Sequence, residues 1–100
     1  MKTHANGLDI RGARIDRRRE NGQPVLAVFG QLANTGTHEL PVPQIRVALI
    51  DDERRELFHW MIVPKTATLR PGQTAAFTGR LPNPPKGFSH FELRLAHEGE

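Results

Sequence analysis

Apolar residues recur at every second position through most of the chain, and the breaks in that alternation fall on Gly, Pro and Asn. Alternation of this kind puts one set of side chains on one face of an extended strand, so it predicts half-buried β-strands joined by tight turns. Residues 8–19 and 24–34 flank Asn21-Gly22. Asn-Gly is the preferred pair for a two-residue type I′ turn because both positions need positive φ. A turn of that length sets Ile15 opposite Val28 and Ala13 opposite Gly30 on the core side. The same register would send Leu8 and Ile10 to the other face, so a β-bulge near Gly12 is predicted to bring them back. Arg17 falls opposite Leu26, where its stem carries the guanidinium to water near the open end of the sheet.

Residues 35–42 contain Gly36 and Pro41, with Pro43 just beyond, and read as a long connection. Ile45, Val47 and Leu49 then alternate with Gln44, Arg46 and Ala48, which describes a half-buried strand. Residues 51–56 form a polar break suited to a hairpin loop. Residues 57–63 are apolar on both faces apart from His59, so this strand is either covered on both sides or presents its outer face to a partner. Arg70-Pro71-Gly72-Gln73 fits a type II turn, with Pro fixing φ at the second position and Gly supplying positive φ at the third. A strand over residues 74–81 follows. Pro82-Asn83-Pro84-Pro85 donates few backbone hydrogen bonds and reads as an extended linker before a last strand over residues 88–96. In that strand Phe91, Leu93 and Leu95 form the core face.

No stretch sustains a helical period, and no repeat of fixed length is present. The prediction is an all-β domain, an immunoglobulin-like antiparallel β-sandwich of six or seven strands, because a single sheet of this size would leave one apolar face uncovered. Trp60 lacks the flanking cysteine pair of antibody domains. Residues 8–96 are expected to form the domain, with a flexible N-terminal segment over 1–7 and a flexible tail over 97–100.

Composition narrows the chemistry. One hundred residues suit one domain with one core. With no cysteine, thiol nucleophiles, thiolate metal sites and disulfides are excluded. The longest nearly apolar run, residues 25–33, is interrupted by Gly30 and Gln31 and falls well short of the roughly 18 residues of a membrane span. The chain is therefore expected to be soluble and without a span of its own. Residues 1–7 lack the apolar stretch of a signal peptide, so Met1 suits either a natural start or a start placed before an excised domain.

The order Gly30, Leu32, Asn34, Pro43 before a strand, Val47, Leu49, Asp51, then Leu69-Arg70-Pro71-Gly72, Phe77 and Pro84-Pro85 resembles an uncharacterised bacterial family, domain of unknown function 3426. Members usually lie at the C-terminal end of proteins that begin with a short zinc ribbon and continue through one transmembrane helix. The resemblance covers residues 8–96. It implies a sandwich on the periplasmic face of the inner membrane, in a membrane-anchored parent protein, with no assigned activity. This sequence holds neither zinc ribbon nor membrane helix, and the loop after Asp51 lacks the Gly common there.

The polar residues do not converge on a reaction. Ser89 is the single serine, and its neighbour His90 points to the opposite face of an extended segment, which separates nucleophile from base. His4, His38, His59, His90 and His97 show no ligand spacing. Asp51, Asp52 and Glu53 are followed by Arg54 and Arg55, which describes a solvated turn of balanced charge. No catalytic residue, cofactor or metal is expected.

Arg11, Arg14, Arg17, Arg18 and Arg19 crowd the first hairpin, and the net charge is +3. Readers of single strands combine such charge with exposed aromatics on which bases stack. Here Phe29, Phe77 and Phe91 are expected in the core, and Asp9, Asp16 and Glu20 dilute the charge. A charged edge that resists strand-to-strand aggregation accounts for the arginines, as does an acidic protein, lipid headgroup or glycan partner. Trp60 packs in the core or, exposed with Phe58 and Ile62, marks a partner surface. Arg14, Arg17, Arg18, Arg19 and Trp60 are thus the candidate interaction residues. The function expected is a non-catalytic binding or structural module of a bacterial envelope protein, with another protein as partner. The alternatives are nucleic-acid or other polyanion binding through the Arg-rich hairpin, and a homodimer scaffold formed through an uncovered strand. Apart from these residues, the 35–42 connection and the 57–63 strand are the places beside the turn signature where function would reside.

Overall fold

In a computed structural model of the chain, residues 4–5, 7–97 and 99–100 are described. Asn21 and Gly22 both adopt positive φ, 52° and 78°, as a two-residue hairpin turn requires. Three strands follow one another around it: β1 (His4–Ala5), β2 (Leu8–Glu20) and β3 (Gln23–Asn34). Glu20 lies opposite Gln23 and Ile15 opposite Val28, the register read from the turn. Between Arg11 and Arg14 the register shifts by one residue, with Gly12 at φ 62°, so Gly12 and Ala13 together oppose Gly30. This is the expected bulge, and beyond it Leu8 and Ile10 are buried. Ala13 is exposed, contrary to its expected core position. The bulge absorbs its pairing, and the Phe77 ring occupies the space over Gly30.

The chain continues through β4 (Leu40–Pro41), β5 (Ile45–Ile50), β6 (Glu56–Ile62), β7 (Thr68–Leu69), β8 (Thr74–Pro82) and β9 (His90–Leu95). A four-stranded sheet has the order β1-β2-β3-β8, a three-stranded sheet the order β6-β5-β9, and β4 pairs with β7. Every pairing is antiparallel, and no helix occurs among the described residues. The turn before β8 closes with the Gln73 N–H donating to Arg70 O at 3.0 Å and Gly72 at φ 79°, as its sequence predicts.

Six long strands match the expected number; the two-residue strands carry no readable period and were not expected. Two of them lie in segments given another reading. β4 lies within the 35–42 connection, held by the Val42 N–H donating to Ala67 O. β1 lies within the N-terminal segment expected to be flexible, and the Thr35 N–H donates to Gly7 O at 2.7 Å. Met1–Thr3, Asn6 and Glu98 fall outside the described residues. At the other end, the Glu100 N–H donates to His97 O and its carboxylate meets Arg94.

Burial of the alternating apolar positions drives the packing. One cluster joins Leu8, Ile10, Val28, Leu32 and Phe77 of the four-stranded sheet to Ile45, Val47, Ile62 and Leu95 of the three-stranded sheet, with Leu69 from β7. A smaller cluster of Leu26, Leu49 and Phe88 lies beside it. Where β6 meets β8, a Cβ on Gly79 would fall 2.5 Å from Ile62 Cδ1, so glycine is what allows this approach. Phe77 is buried and Phe91 packs half-buried against the smaller cluster. Phe29 is not in the core: its neighbour Val28 faces inward, and period-two geometry turns Phe29 to the outer face.

Candidate interaction sites

The arginine-rich hairpin is divided by the pleat. Arg14, Asp16, Arg18 and Glu20 share the outer face with Phe29. The guanidiniums of Arg14 and Arg18 lie 4.7 and 5.1 Å from the Phe29 ring centroid, within cation–π range. Carboxylates two residues away partner several of these cations: Arg18 to Asp16 at 2.8 Å and Arg11 to Asp9 at 3.0 Å, while Glu20 pairs with Arg80 of β8. Arg17 sits on the core side, its guanidinium 4.3 Å from the Phe88 ring, where it shields the edge of the smaller cluster. Arg19 donates to Gly22 O and so braces the turn.

Trp60 is on the other sheet. It lies opposite Val47 on the core face, half-buried and packed against both clusters. Its ring centroid is 6.0 Å from that of Phe58, tilted by 36°. Trp60 is therefore not a free-standing anchor, and the expected alternative in which Ile62 is exposed beside it is corrected by the burial of Ile62. The five residues expected to share an interaction surface do not form one patch. Arg14 and Arg18 are on one face of a sheet, Arg17 on the other, Arg19 at the turn, and Trp60 in the second sheet.

On the outer face of the three-stranded sheet, charges neutralise one another. Arg46 grips Glu56 with two nitrogens at 2.9 and 2.8 Å, His59 Nδ1 lies 3.2 Å from Glu56, and Arg94 holds Glu100 at 2.8 Å. The Arg46 hydrogen bond lowers the Glu56 pKa, and the Arg55 backbone N–H lowers that of Asp51. Arg94, followed by the His97 backbone N–H, lowers the Glu100 pKa from 4.5 to about 2. A depressed carboxylate stabilises the fold above its unfolded pKa, and the contribution is lost as pH falls through the folded value. The urea midpoint should therefore decline as pH drops from about 4.5 to about 2. Arg94→Gln should flatten that decline, and an unchanged profile in the variant would show that the pair contributes nothing to acid stability.

A cleft of about 590 Å³ opens at the end of the molecule, lined chiefly by Leu8, Leu40, Val42, Pro43, Leu95 and His97. Leu8 and Leu95 belong to the main cluster, so the cleft floor is the exposed margin of the core. One wall is the connection after β3, and Asn34 positions it by donating to His38 O. The sequence marked this connection as a place for function. The contributions of Leu8 and Leu95 were missed because strand periodicity assigns both to the core and carries no sign that they meet at its open end. The convergence is apolar, with Gln44, His97 and Glu100 at the rim. Among the described residues, no group of three or more His, Asp or Glu is placed to hold a metal ion. Ser89 and His90 are both exposed, and the Ser89 N–H donates to Ile50 O.

Sheets, clusters and cleft together define an all-β domain with antiparallel sheets and an apolar cleft at one end. No protein-family model, no curated protein and no solved structure matches the chain. No helix among the described residues is long and apolar enough to cross a membrane.

Proposed function

We propose that this chain is a non-catalytic, immunoglobulin-like β-sandwich that binds another protein. The sandwich reading is supported by the main cluster, which draws on both larger sheets. The observation that carries the binding role is the apolar end cleft, bounded by a connection rather than by paired strands. Apolar side chains of a peptide or protein surface suit such a floor, and the polar rim sets their orientation. The resemblance in turn and core residues to the uncharacterised bacterial family supports a periplasmic position within a membrane-anchored envelope protein. This placement rests on the resemblance alone.

The test is selection of peptides from a random display library on the whole chain, followed by titration against Val42→Lys. Val42 is half-buried in the cleft wall at the margin of the main cluster, so the variant puts a charge where apolar groups would dock, and an unchanged Tm shows that its fold is kept. Selected peptides should bind the variant at least about tenfold more weakly. Equal binding to both proteins, or turnover of a substrate lost with a polar rim residue, would overturn the proposal.

Arg14 and Arg18 around Phe29 favour a second reading, docking of a polyanion on the outer face of the four-stranded sheet. Titrating labelled oligonucleotides at two salt concentrations decides it, because phosphate contacts must weaken steeply with salt. Absence of binding at low salt ends that reading.

A further inference from the structure

We infer that β6 joins two copies of this chain edge to edge, antiparallel, into one continuous six-stranded sheet about a two-fold axis through Trp60. This inference is independent of the end cleft. Among the described residues β6 pairs with β5 alone, so the N–H and C=O groups along its other side face outward. An edge of this kind is a template for a further strand, and proteins ordinarily blunt it with charge, proline or very short length. The other edges carry such devices: β1 has two residues, β8 contains Arg80 and ends on Pro82, and β9 contains Glu92 and Arg94. β6 begins on Glu56 and is bulged at Leu57, but from Leu57 to Val63 there is no Lys, Arg, Asp, Glu or Pro.

The exposed apolar surface lies on the same strand. Leu57, Phe58 and Val63 are 39%, 42% and 69% exposed, and they are the large apolar side chains exposed among the described residues. Two lie in β6 and the third directly follows it.

Geometry selects a second copy and its register. A two-fold axis normal to the sheet preserves its faces, and antiparallel partners point to the same face, so only residues an even number of positions apart can pair. Centred on Trp60, Leu57 meets Val63 of the second copy, Phe58 meets Ile62, and His59 meets Met61. Centring on His59 would set Val63 against Arg55, and centring on Met61 would set Leu57 against Lys65. The Trp60 register alone sets the exposed Leu57 against the exposed Val63, and it covers the open edges of Phe58 and Trp60 on the core face. Apolar cross-strand pairs of this sort are the units that stabilise a sheet. A single strand pair buries less than the about 1,200–2,000 Å² of a stable complex, so the dimer should dissociate on the order of 10–100 μM.

Sedimentation equilibrium of the whole chain, from about 1 μM to about 1 mM, should show the mass rising from 11.2 kDa towards twice that value. Val63→Lys, at an exposed position, should weaken association at least about tenfold without changing Tm. The chain has no cysteine, so the register can be read by cross-linking. A mixture of Leu57→Cys and Val63→Cys proteins should form a disulfide-linked pair on oxidation, whereas Leu57→Cys alone should not. A constant 11.2 kDa mass without cross-linking overturns the inference. So does a dimer indifferent to Val63→Lys, or loss of a foreign partner by that variant while the chain itself stays monomeric.

Discussion

Asn34→Ala should destabilise the fold by about 3–4 kcal/mol, a large part of the about 5–15 kcal/mol that holds a domain of this size together. Asn34 ends β3 and is 1% exposed, the one buried polar side chain among the described residues. Its amide Nδ2 donates to His38 O and to Leu69 O, both at 2.8 Å, and its Oδ1 accepts from the Gly36 N–H at 2.9 Å. The backbone takes part as well, with the Asn34 N–H donating to Gln73 O and the Gly72 N–H donating to Asn34 O. One residue thus ties the end of β3 to the connection after it, to β7 and to the turn before β8. Alanine would leave two carbonyls and one N–H without their partner where water enters poorly, and each such group costs about 1–3 kcal/mol. Water at the exposed His38 end offsets part of this. Asn34→Asp should be nearly as damaging, because it keeps the Gly36 contact but sets an anionic oxygen against two carbonyls. Urea unfolding should show a lower midpoint at unchanged slope, and a loss below about 1 kcal/mol would mean the network does not hold these segments.

Gly30→Ala should cost about 2–3 kcal/mol, and Gly30→Val more. Gly30 and Phe77 are direct cross-strand neighbours. An added Cβ would lie 2.4 Å from Phe77 Cζ and 2.8 Å from Cε2, and the ring is 3% exposed, so it has no space into which to retreat. Phe77→Leu alone removes ring contacts and destabilises through the void it leaves. Combined with Gly30→Ala, the smaller side chain vacates the place the new methyl needs. The double variant should therefore be more stable than the two single losses predict by at least about 1 kcal/mol. Strict additivity would show that Gly30 is required for its backbone conformation or for another neighbour.

These two positions show how far the chain could be read in advance. Gly30 and Asn34 were recognisable as parts of a turn-and-strand signature, but their reasons were not. The Gly30 requirement comes from a ring 47 residues later in the sequence, across β8. The Asn34 requirement comes from carbonyls of the following connection and of β7. Local conformational needs were legible: the turns at Asn21-Gly22 and Gly72 demanded positive φ, and the burial of Leu8 and Ile10 demanded a bulge at Gly12. Hydrophobicity alone argues for Phe29 in the core, but the parity set by Val28 turns it outward. Arg14 and Arg18 cover its ring, which lets an aromatic residue sit on an outer face.

The candidate sites divide in the same way. An Arg-rich hairpin could be seen in the sequence, but the pleat sends Arg17 to Phe88 and Arg14 to Phe29, and the turn holds Arg19. The strand carrying Trp60 was recognised as unusually apolar. Which of its residues stay open depends on β5 and the facing cluster, which cover Ile62 and half of Trp60 while leaving Leu57, Phe58 and Val63 accessible. The end cleft was hinted at only through its connection.

By itself the sequence determined the long strands, the tight turns, the bulge at Gly12 and the all-β class, because alternation, φ preference and missing N–H groups act within a few residues of their cause. Tertiary structure alone decided which strands became edges, where the core opened into a cleft and which charges were matched, because these depend on contacts between segments far apart in the chain. The edge at β6 combines both: its apolar run, broken only by His59, is written locally, and its exposure exists only because β5 pairs with one side of it and no other described strand pairs with the second.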